Sequence, residues 1–89
     1  MEKTSTIDIV LEENPSTGYS WVPVDIDGKI VEVLSDYYME GEAIPGASGK
    51  HVWKIKGLEK GTTELTFAYT RPWEENGTIE EKTFVIKVK

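Results

Sequence analysis

The strongest constraint on the fold is the alternation of side-chain character between Thr63 and Thr70. Leu65, Phe67 and Tyr69 lie on one side of an extended chain in this segment, and polar or small residues lie on the other. Successive side chains of a β-strand point to opposite faces of a sheet, whereas a helix repeats about every 3.6 residues. The segment therefore predicts a strand with one face buried in a core.

Similar short segments recur along the chain, with turn-forming residues between them. Asn76-Gly77 is the strongest hairpin signal, because this dipeptide readily adopts the positive φ angles of a tight turn. Pro23 interrupts another segment, and a proline inside a strand predicts an edge position or a bulge. Beyond Thr63–Thr70, the predicted strands are Thr4–Glu12, Tyr19–Ile26, Ile30–Leu34, His51–Ile55 and Thr83–Val88. Trp21 and Trp53 lie in two of these strands at positions whose alternation predicts a place in the core.

The number and spacing of these segments predict an all-β fold. About seven short strands, with turn signals every ~8–12 residues, are typical of an antiparallel β-sandwich. The chain has no cysteine, so it lacks the Cys…Trp…Cys framework of an antibody domain and can form no disulfide. We therefore expect an immunoglobulin-like sandwich without a disulfide, formed by residues 1–89 as a single domain.

Charge and composition exclude several classes of function. The net charge of −6 argues against nucleic-acid binding, which requires clustered Lys and Arg. No apolar run approaches the ~20 residues of a membrane-spanning helix, so no membrane partner is expected. Without thiolate ligands, and with no complete metal or phosphate motif, we expect no cofactor. The N-terminal segment lacks the pattern of a signal peptide, which predicts a protein that is either cytoplasmic or exported with its leader removed.

Catalysis is a poor fit to this sequence. His51 is the only histidine, and no serine lies in a nucleophile-elbow motif. A lone histidine beside a glycine-rich segment is most often a solvent-facing strand residue, and we expect this of His51. The chain is therefore not expected to be an enzyme.

The segment of residues 14–19 predicts a rigid polar loop. Pro15 fixes its own φ angle and keeps Asn14 out of the helical conformation. The Asn14 side chain can hydrogen-bond to the backbone two residues on, and Gly18 can adopt the positive φ that closes a tight turn. The tip of this first loop, Ser16-Thr17, is then small, polar and held still.

Two further segments have a related composition. A second loop, Gly46-Ala47-Ser48-Gly49, leads into the predicted strand that begins at His51. A third, Arg71-Pro72-Trp73, follows the strand that ends at Thr70, and its tryptophan has little local core to enter. Alternate loops of a sandwich gather at one end, so the three segments can form one surface.

Together, these segments resemble the loops of the chagasin family, protein inhibitors of papain-like cysteine proteases. That family carries an Asn-Pro-Thr-Thr-Gly-aromatic loop, a Gly-x-Gly-Gly loop and an Arg-Pro-Trp/Phe loop, in this chain order. The present sequence departs at Ser16, where the family usually has Thr, and at Ser48, where it has Gly. The resemblance covers the layout of residues 4–88 and implies the same immunoglobulin-like fold.

The resemblance implies a reversible, tight-binding inhibitor that inserts a wedge of three loops into the active-site cleft. Thr17 is expected to enter the cleft beside the catalytic Cys–His pair, while the other two loops brace its sides. Trp73 is expected to stack on the enzyme, in an interface of about 800 Å² per partner. The expected partner is a papain-like cysteine protease, bound by a monomer. The residues implied to contact it are Asn14, Pro15, Ser16, Thr17, Gly18, Tyr19, Gly46, Ala47, Ser48, Gly49, Arg71, Pro72 and Trp73.

Alternative interpretations exist for the aromatic residues and for the whole chain. Trp73 can instead fold back onto its own sandwich, and Arg71 can pair with Glu74 rather than with a partner. The chain can also be an immunoglobulin-like binding or adhesion module, for example a carbohydrate-binding domain that stacks sugars on Tyr37, Tyr38 and Trp73. That function leaves the co-occurrence of the first and third loop motifs unexplained.

Overall fold

The chain forms six β-strands and one short 3₁₀ turn within residues 1–41, 48–71 and 73–89, the part described by this computed structural model. The predicted immunoglobulin-like antiparallel sandwich is confirmed, although the described residues contain six strands rather than about seven. The strands are β1 (Thr6–Glu13), β2 (Ser20–Asp25), β3 (Val31–Met39), β4 (Gly49–Gly57), β5 (Gly61–Thr70) and β6 (Glu80–Val88), and the 3₁₀ turn is Pro15–Thr17.

Two three-stranded sheets build the sandwich. One has the order β1-β4-β3 and the other β2-β5-β6, and every pairing is antiparallel. The predicted hairpin at Asn76-Gly77 joins β5 to β6, but the connection spans residues 71–79 instead of two residues. Asn76 has the positive φ expected of it, at 59°. The hairpin signal thus located the connection correctly but underestimated its length, and Gly77 does not adopt the positive φ of a two-residue turn.

Both β2 and β3 lie at the edge of a sheet, and each contains a shift in register. The register of β2 shifts between Pro23 and Asp25, which confirms the edge-and-bulge prediction made from the proline. The register of β3 shifts between Val33 and Ser35, and the strand then continues to Met39. An extra residue interrupts the period of two, so the alternation that marks the other strands is lost in β3.

The core lies between the inner faces of the two sheets. Trp53 and Phe67 are fully buried, with ring centroids 4.6 Å apart, and Ile55 and Leu65 pack around them. Burying a side chain of this size stabilises the fold by about 1.5–3 kcal/mol. Trp21 is buried as well, so two of the three tryptophans belong to the core, as the alternation predicts.

Candidate functional site

The first loop is held by hydrogen bonds among its own residues. Asn14 Oδ1 accepts hydrogen bonds from Ser16 N at 3.1 Å and from Ser16 Oγ at 2.7 Å. The Asn14 carbonyl accepts from Thr17 N at 3.2 Å and from Thr17 Oγ1 at 2.8 Å. Thr17 Oγ1 in turn accepts from Tyr19 N at 3.2 Å, and Gly18 closes the turn with the predicted positive φ, 81°. Ser16 and Thr17 stay exposed at a tip whose backbone is fixed from within.

Arg71 ties the third loop to the first. Its Nε and Nη2 atoms donate to the Thr17 carbonyl at 3.2 and 3.0 Å. Its Nη1 donates to Glu74 Oε1 at 3.3 Å, and the guanidinium carbon lies 4.3 Å from the centre of the Tyr19 ring. The planar fork of a guanidinium suits such a set of contacts, which an ammonium cannot reproduce. Arg71 therefore makes the Glu74 pair that the sequence offered as one alternative, and also binds the first loop.

Trp73 lies against the first loop with most of its side chain exposed. A Cβ atom on Gly18 would sit 2.8 Å from Trp73 Cη2 and 2.9 Å from Cζ2, so only glycine leaves room for the ring. The residue nevertheless remains 69% exposed. The ring thus rests on a neighbouring loop rather than on the sandwich, and it presents a large apolar surface beside Gly18.

The second loop is described only at its end. Gly46, Ala47 and Pro72 lie outside the described residues. Ser48 is exposed and lines one open groove together with Asn14, which places the end of this loop beside the first. Gly49 is not a loop residue, contrary to expectation.

Gly49 is the buried first residue of β4, and its glycine has a packing role. A Cβ atom at this position would overlap the Tyr38 hydroxyl and the Met39 carbonyl oxygen. Such close approach of a ring to backbone is one of the reasons a strand carries glycine. The glycine-rich appearance of the second motif is therefore partly a requirement of the sheet.

A charged cluster at the base of the first loop is absent from the sequence-based expectations. His51 Nδ1 lies 3.1 Å from Glu13 Oε2, and His51 Nε2 lies 2.6 Å from Asp36 Oδ2. The ring stacks on Trp53 with centroids 4.0 Å apart, and only 15% of the side chain is exposed. The expectation of a solvent-facing His51 is therefore wrong.

A signal for this cluster was present in the strand pattern. Glu13 continues the alternation of Ile9 and Leu11, and His51 continues that of Trp53 and Ile55, so both polar residues fall on inward-facing positions. Asp36 lies beyond the bulge in β3, where the alternation gives no guidance.

The tyrosines proposed for a carbohydrate platform point in different directions. Tyr37 is half exposed, whereas the Tyr38 hydroxyl is directed to the Glu13 carbonyl, 3.5 Å away. Neighbouring strand residues face opposite sides of a sheet, so these rings do not share a surface. The arrangement does not favour stacking of one sugar chain on both tyrosines.

Two other kinds of site find no support in the part of the chain that is described. No group of three or more His, Asp or Glu side chains there is arranged to hold a metal ion. No helix among the same residues is long and apolar enough to cross a bilayer.

Comparison with known proteins gives a consistent result. The model of the chagasin family, peptidase inhibitor I42, matches residues 1–88. Amoebiasin-1 of Entamoeba histolytica is 39% identical over 83 residues, which are 91% of this chain and 78% of that protein. Amoebiasin-2 of the same organism is 36% identical over 76 residues, and this match spans 78% of this chain and 58% of that protein.

Two solved structures share the fold. The crystal structure of the cysteine protease inhibitor EhICP2 from Entamoeba histolytica superimposes with a TM-score of 0.84 at 26% identity, covering 100% of this chain and 83% of that one. The solution structure of Amebosin superimposes with a TM-score of 0.72 at 33% identity, covering 99% of this chain and 82% of that one.

Proposed function

Since this chain belongs to the chagasin family of peptidase inhibitors, we propose that it is a reversible, tight-binding inhibitor of papain-family cysteine proteases. The description of EhICP2 as a cysteine protease inhibitor supports this class of target. Members of the family are inhibitors, in agreement with the expectation that this chain is not an enzyme. In the proposed mechanism a monomer inserts a wedge of three loops into the active-site cleft and blocks access to the catalytic pair.

The contact between the first and third loops is the observation that carries the proposal. Arg71 binds the carbonyl of Thr17, and Trp73 covers Gly18, so the two loops form one surface. This surface is already ordered and loses little conformational entropy when it binds. Binding orders mobile groups at a cost of about 0.5–1.5 kcal/mol for each immobilised side chain. A surface that is ordered beforehand avoids much of this cost, which is a requirement for tight inhibition.

The proposed roles follow from exposure. Ser16 and Thr17 form the exposed tip and would enter the cleft, and the exposed ring of Trp73 would stack on an apolar surface of the enzyme. Arg71 is assigned a positioning role, because all three nitrogens of its guanidinium group donate hydrogen bonds within the chain. Asn14, Pro15 and Gly18 shape the first loop. The family resemblance assigns residues 46–49 and Pro72 to contacts with the two sides of the enzyme's cleft.

The direct test is titration of papain, and of a cathepsin L-like enzyme, with this protein while a fluorogenic peptide reports activity. We expect stoichiometric loss of activity that dilution restores, with the inhibitor recovered intact by mass spectrometry. A trypsin-like serine protease serves as the control and should be unaffected. Absence of inhibition at micromolar concentration across several papain-like enzymes would contradict the proposal, and tryptophan fluorescence with oligosaccharides would then test the adhesion-module alternative.

A further inference from the structure

The imidazole of His51 lies between two carboxylates from two different strands. Glu13 of β1 faces Nδ1 at 3.1 Å, and Asp36 of β3 faces Nε2 at 2.6 Å. Tyr38 of β3 pairs with His51 in the sheet. Lys50 precedes His51 on β4, so its side chain points to the opposite face of the sheet. Among the described residues, Glu13 and Asp36 are the charged groups placed against this ring.

When both carboxyl groups are ionised, only the doubly protonated ring can donate a hydrogen bond to each of them. A neutral imidazole has one N–H donor and one lone pair, whereas an imidazolium donates from both nitrogens. A carboxylate oxygen is an acceptor, so loss of one proton from His51 would set a lone pair against one of the two carboxylates. Hydrogen bonds between charged partners are about twice as strong as neutral ones, so the difference between the two states is substantial.

Glu13 connects this ring to both ends of the first loop. It is the last residue of β1 and immediately precedes Asn14, where the loop begins. Its Oε2 atom also accepts a hydrogen bond from Trp21 N at 2.8 Å, near the start of β2, where the loop has ended. The carboxylate is only 7% exposed, so its orientation depends on these partners rather than on water.

We propose that His51 is a positioning residue for the first loop. Its protonated ring holds the Glu13 carboxylate, and through it both ends of the loop, against Asp36 on β3. When the ring loses its proton, the hold on one carboxylate is lost and the first loop becomes less ordered. The effect on protease binding rests on the function proposed above, whereas the effect on the loop does not.

The first test uses the free protein and amide hydrogen exchange followed by NMR. We compare the wild type with His51→Gln and Asp36→Asn, and use Lys54→Gln, an exposed change on the same strand, as the control. The amides of Thr17, Tyr19 and Trp21 should exchange about tenfold faster in His51→Gln at acidic pH, the size expected for one charge-assisted hydrogen bond. Asp36 is more than half exposed, so Asp36→Asn probes the same link with little risk to folding.

Dependence on pH separates positioning from a purely structural role. Because His51 is the only histidine, its ring nitrogen signals can be followed without overlap. After correction for intrinsic exchange, the wild-type loop amides should approach the His51→Gln rates as the ring deprotonates, while amides of the β5–β6 ladder stay unchanged. Loop exchange equal to that of Lys54→Gln, or a uniform increase across both sheets, would overturn the proposal.

The second test measures inhibition of one papain-like enzyme by the wild type and by His51→Gln across the range in which the ring titrates. The ratio of the two inhibition constants cancels the enzyme's own pH dependence. It should be about tenfold at acidic pH and fall towards one as His51 loses its proton. A ratio of one throughout would contradict the link to binding. A wild type that inhibits nothing would contradict the proposed function instead, and the exchange data would still decide the role of His51.

Discussion

The first and third loops are both ordered, but the hydrogen bonds that order them differ greatly in the sequence separation of their partners. Asn14 and Thr17 hold the first loop through bonds between residues two or three positions apart. The third loop has local bonds between Arg71 and Glu74, but Arg71 also donates to the Thr17 carbonyl, 54 positions away in the chain. Local bonds can form as soon as the segment turns, whereas the bonds from Arg71 to Thr17 require β2 to be paired with β5, which brings Ser20 opposite Thr70.

This difference makes the dependence between the two loops one-sided. The third loop uses the carbonyl of Thr17 and the bare backbone of Gly18 as its supports, so it needs the first loop in its native shape. The first loop is expected to keep its own hydrogen bonds when the third is loosened, because their donors and acceptors all lie within residues 14–19. The experiments below break one loop, the other, or both, and so test this asymmetry.

The largest effect is expected from Gly18→Val, which disturbs both loops at once. The side chain would be strained at a φ of 81° and would collide with the Trp73 ring. Together, the strained backbone and the displaced tryptophan should weaken protease binding by about 3 kcal/mol. Gly28→Val is the control, since a Cβ atom there meets nothing within 4 Å. Equal inhibition constants for the two variants would show that the shape of the first loop does not matter.

Trp73→Ala should weaken binding by about 2 kcal/mol and leave the melting temperature nearly unchanged. The ring is 69% exposed, so its removal costs the free protein little packing. Val85→Ala, at the same 69% exposure on β6, is the matched control for loss of surface apolar area. A large fall in melting temperature would mean that the ring serves the fold, and an unchanged inhibition constant would remove the third loop from the binding surface.

Arg71→Lys tests the asymmetry most directly. It keeps the charge but loses the paired contacts to the Thr17 carbonyl, and should weaken binding by about 1.5 kcal/mol. Hydrogen exchange should rise at Glu74 N, while Thr17 and Tyr19 amides stay protected. Glu74→Gln removes only an exposed ion pair and should change binding by less than about 0.5 kcal/mol. Equal loss of protection in both loops of Arg71→Lys would refute the one-sided dependence.

Asn14→Ala should have the smallest effect of the four principal variants, about 1 kcal/mol on binding. It removes the side-chain acceptor for Ser16 N and Ser16 Oγ, but leaves the bonds of Thr17 to the Asn14 carbonyl. Exchange should increase in both loops, because the third depends on the first. Increased exchange confined to residues 14–19 would show that the third loop is held by Arg71 without help from the local turn.

The sequence separation of the hydrogen-bond partners also explains which contacts could be predicted from the sequence. The Asn14 bond and the positive φ of Gly18 follow from residues within the loop itself, and both were predicted. The Arg71–Glu74 pair, three positions apart, was predicted as one alternative. The bonds between Arg71 and Thr17 were not, because nothing in either segment specifies which distant carbonyl will lie beside the guanidinium.

The sheets show the same limit. Alternation identified Trp21 and Trp53 as core residues, because a period of two is a local property of a strand. It failed in β3, where a bulge shifts the register before Asp36, and that carboxylate is one of the two that bind His51. His51 was expected to face solvent, as a lone histidine beside a glycine-rich segment usually does. The alternation of its strand indicated an inward position, but it did not specify the partners, which lie 15 and 38 positions away in the chain.

The 3₁₀ turn at Pro15–Thr17 has a consequence for the durability of the protein in the presence of its proposed target. A peptide that lies in a cleft as a substrate is commonly extended, with its amides free to pair with the enzyme. Here the Thr17 and Tyr19 amides already donate within the loop, so the segment must unwind before it can be cut. The rate at which this one turn opens would then set how long the chain stays intact inside a working protease.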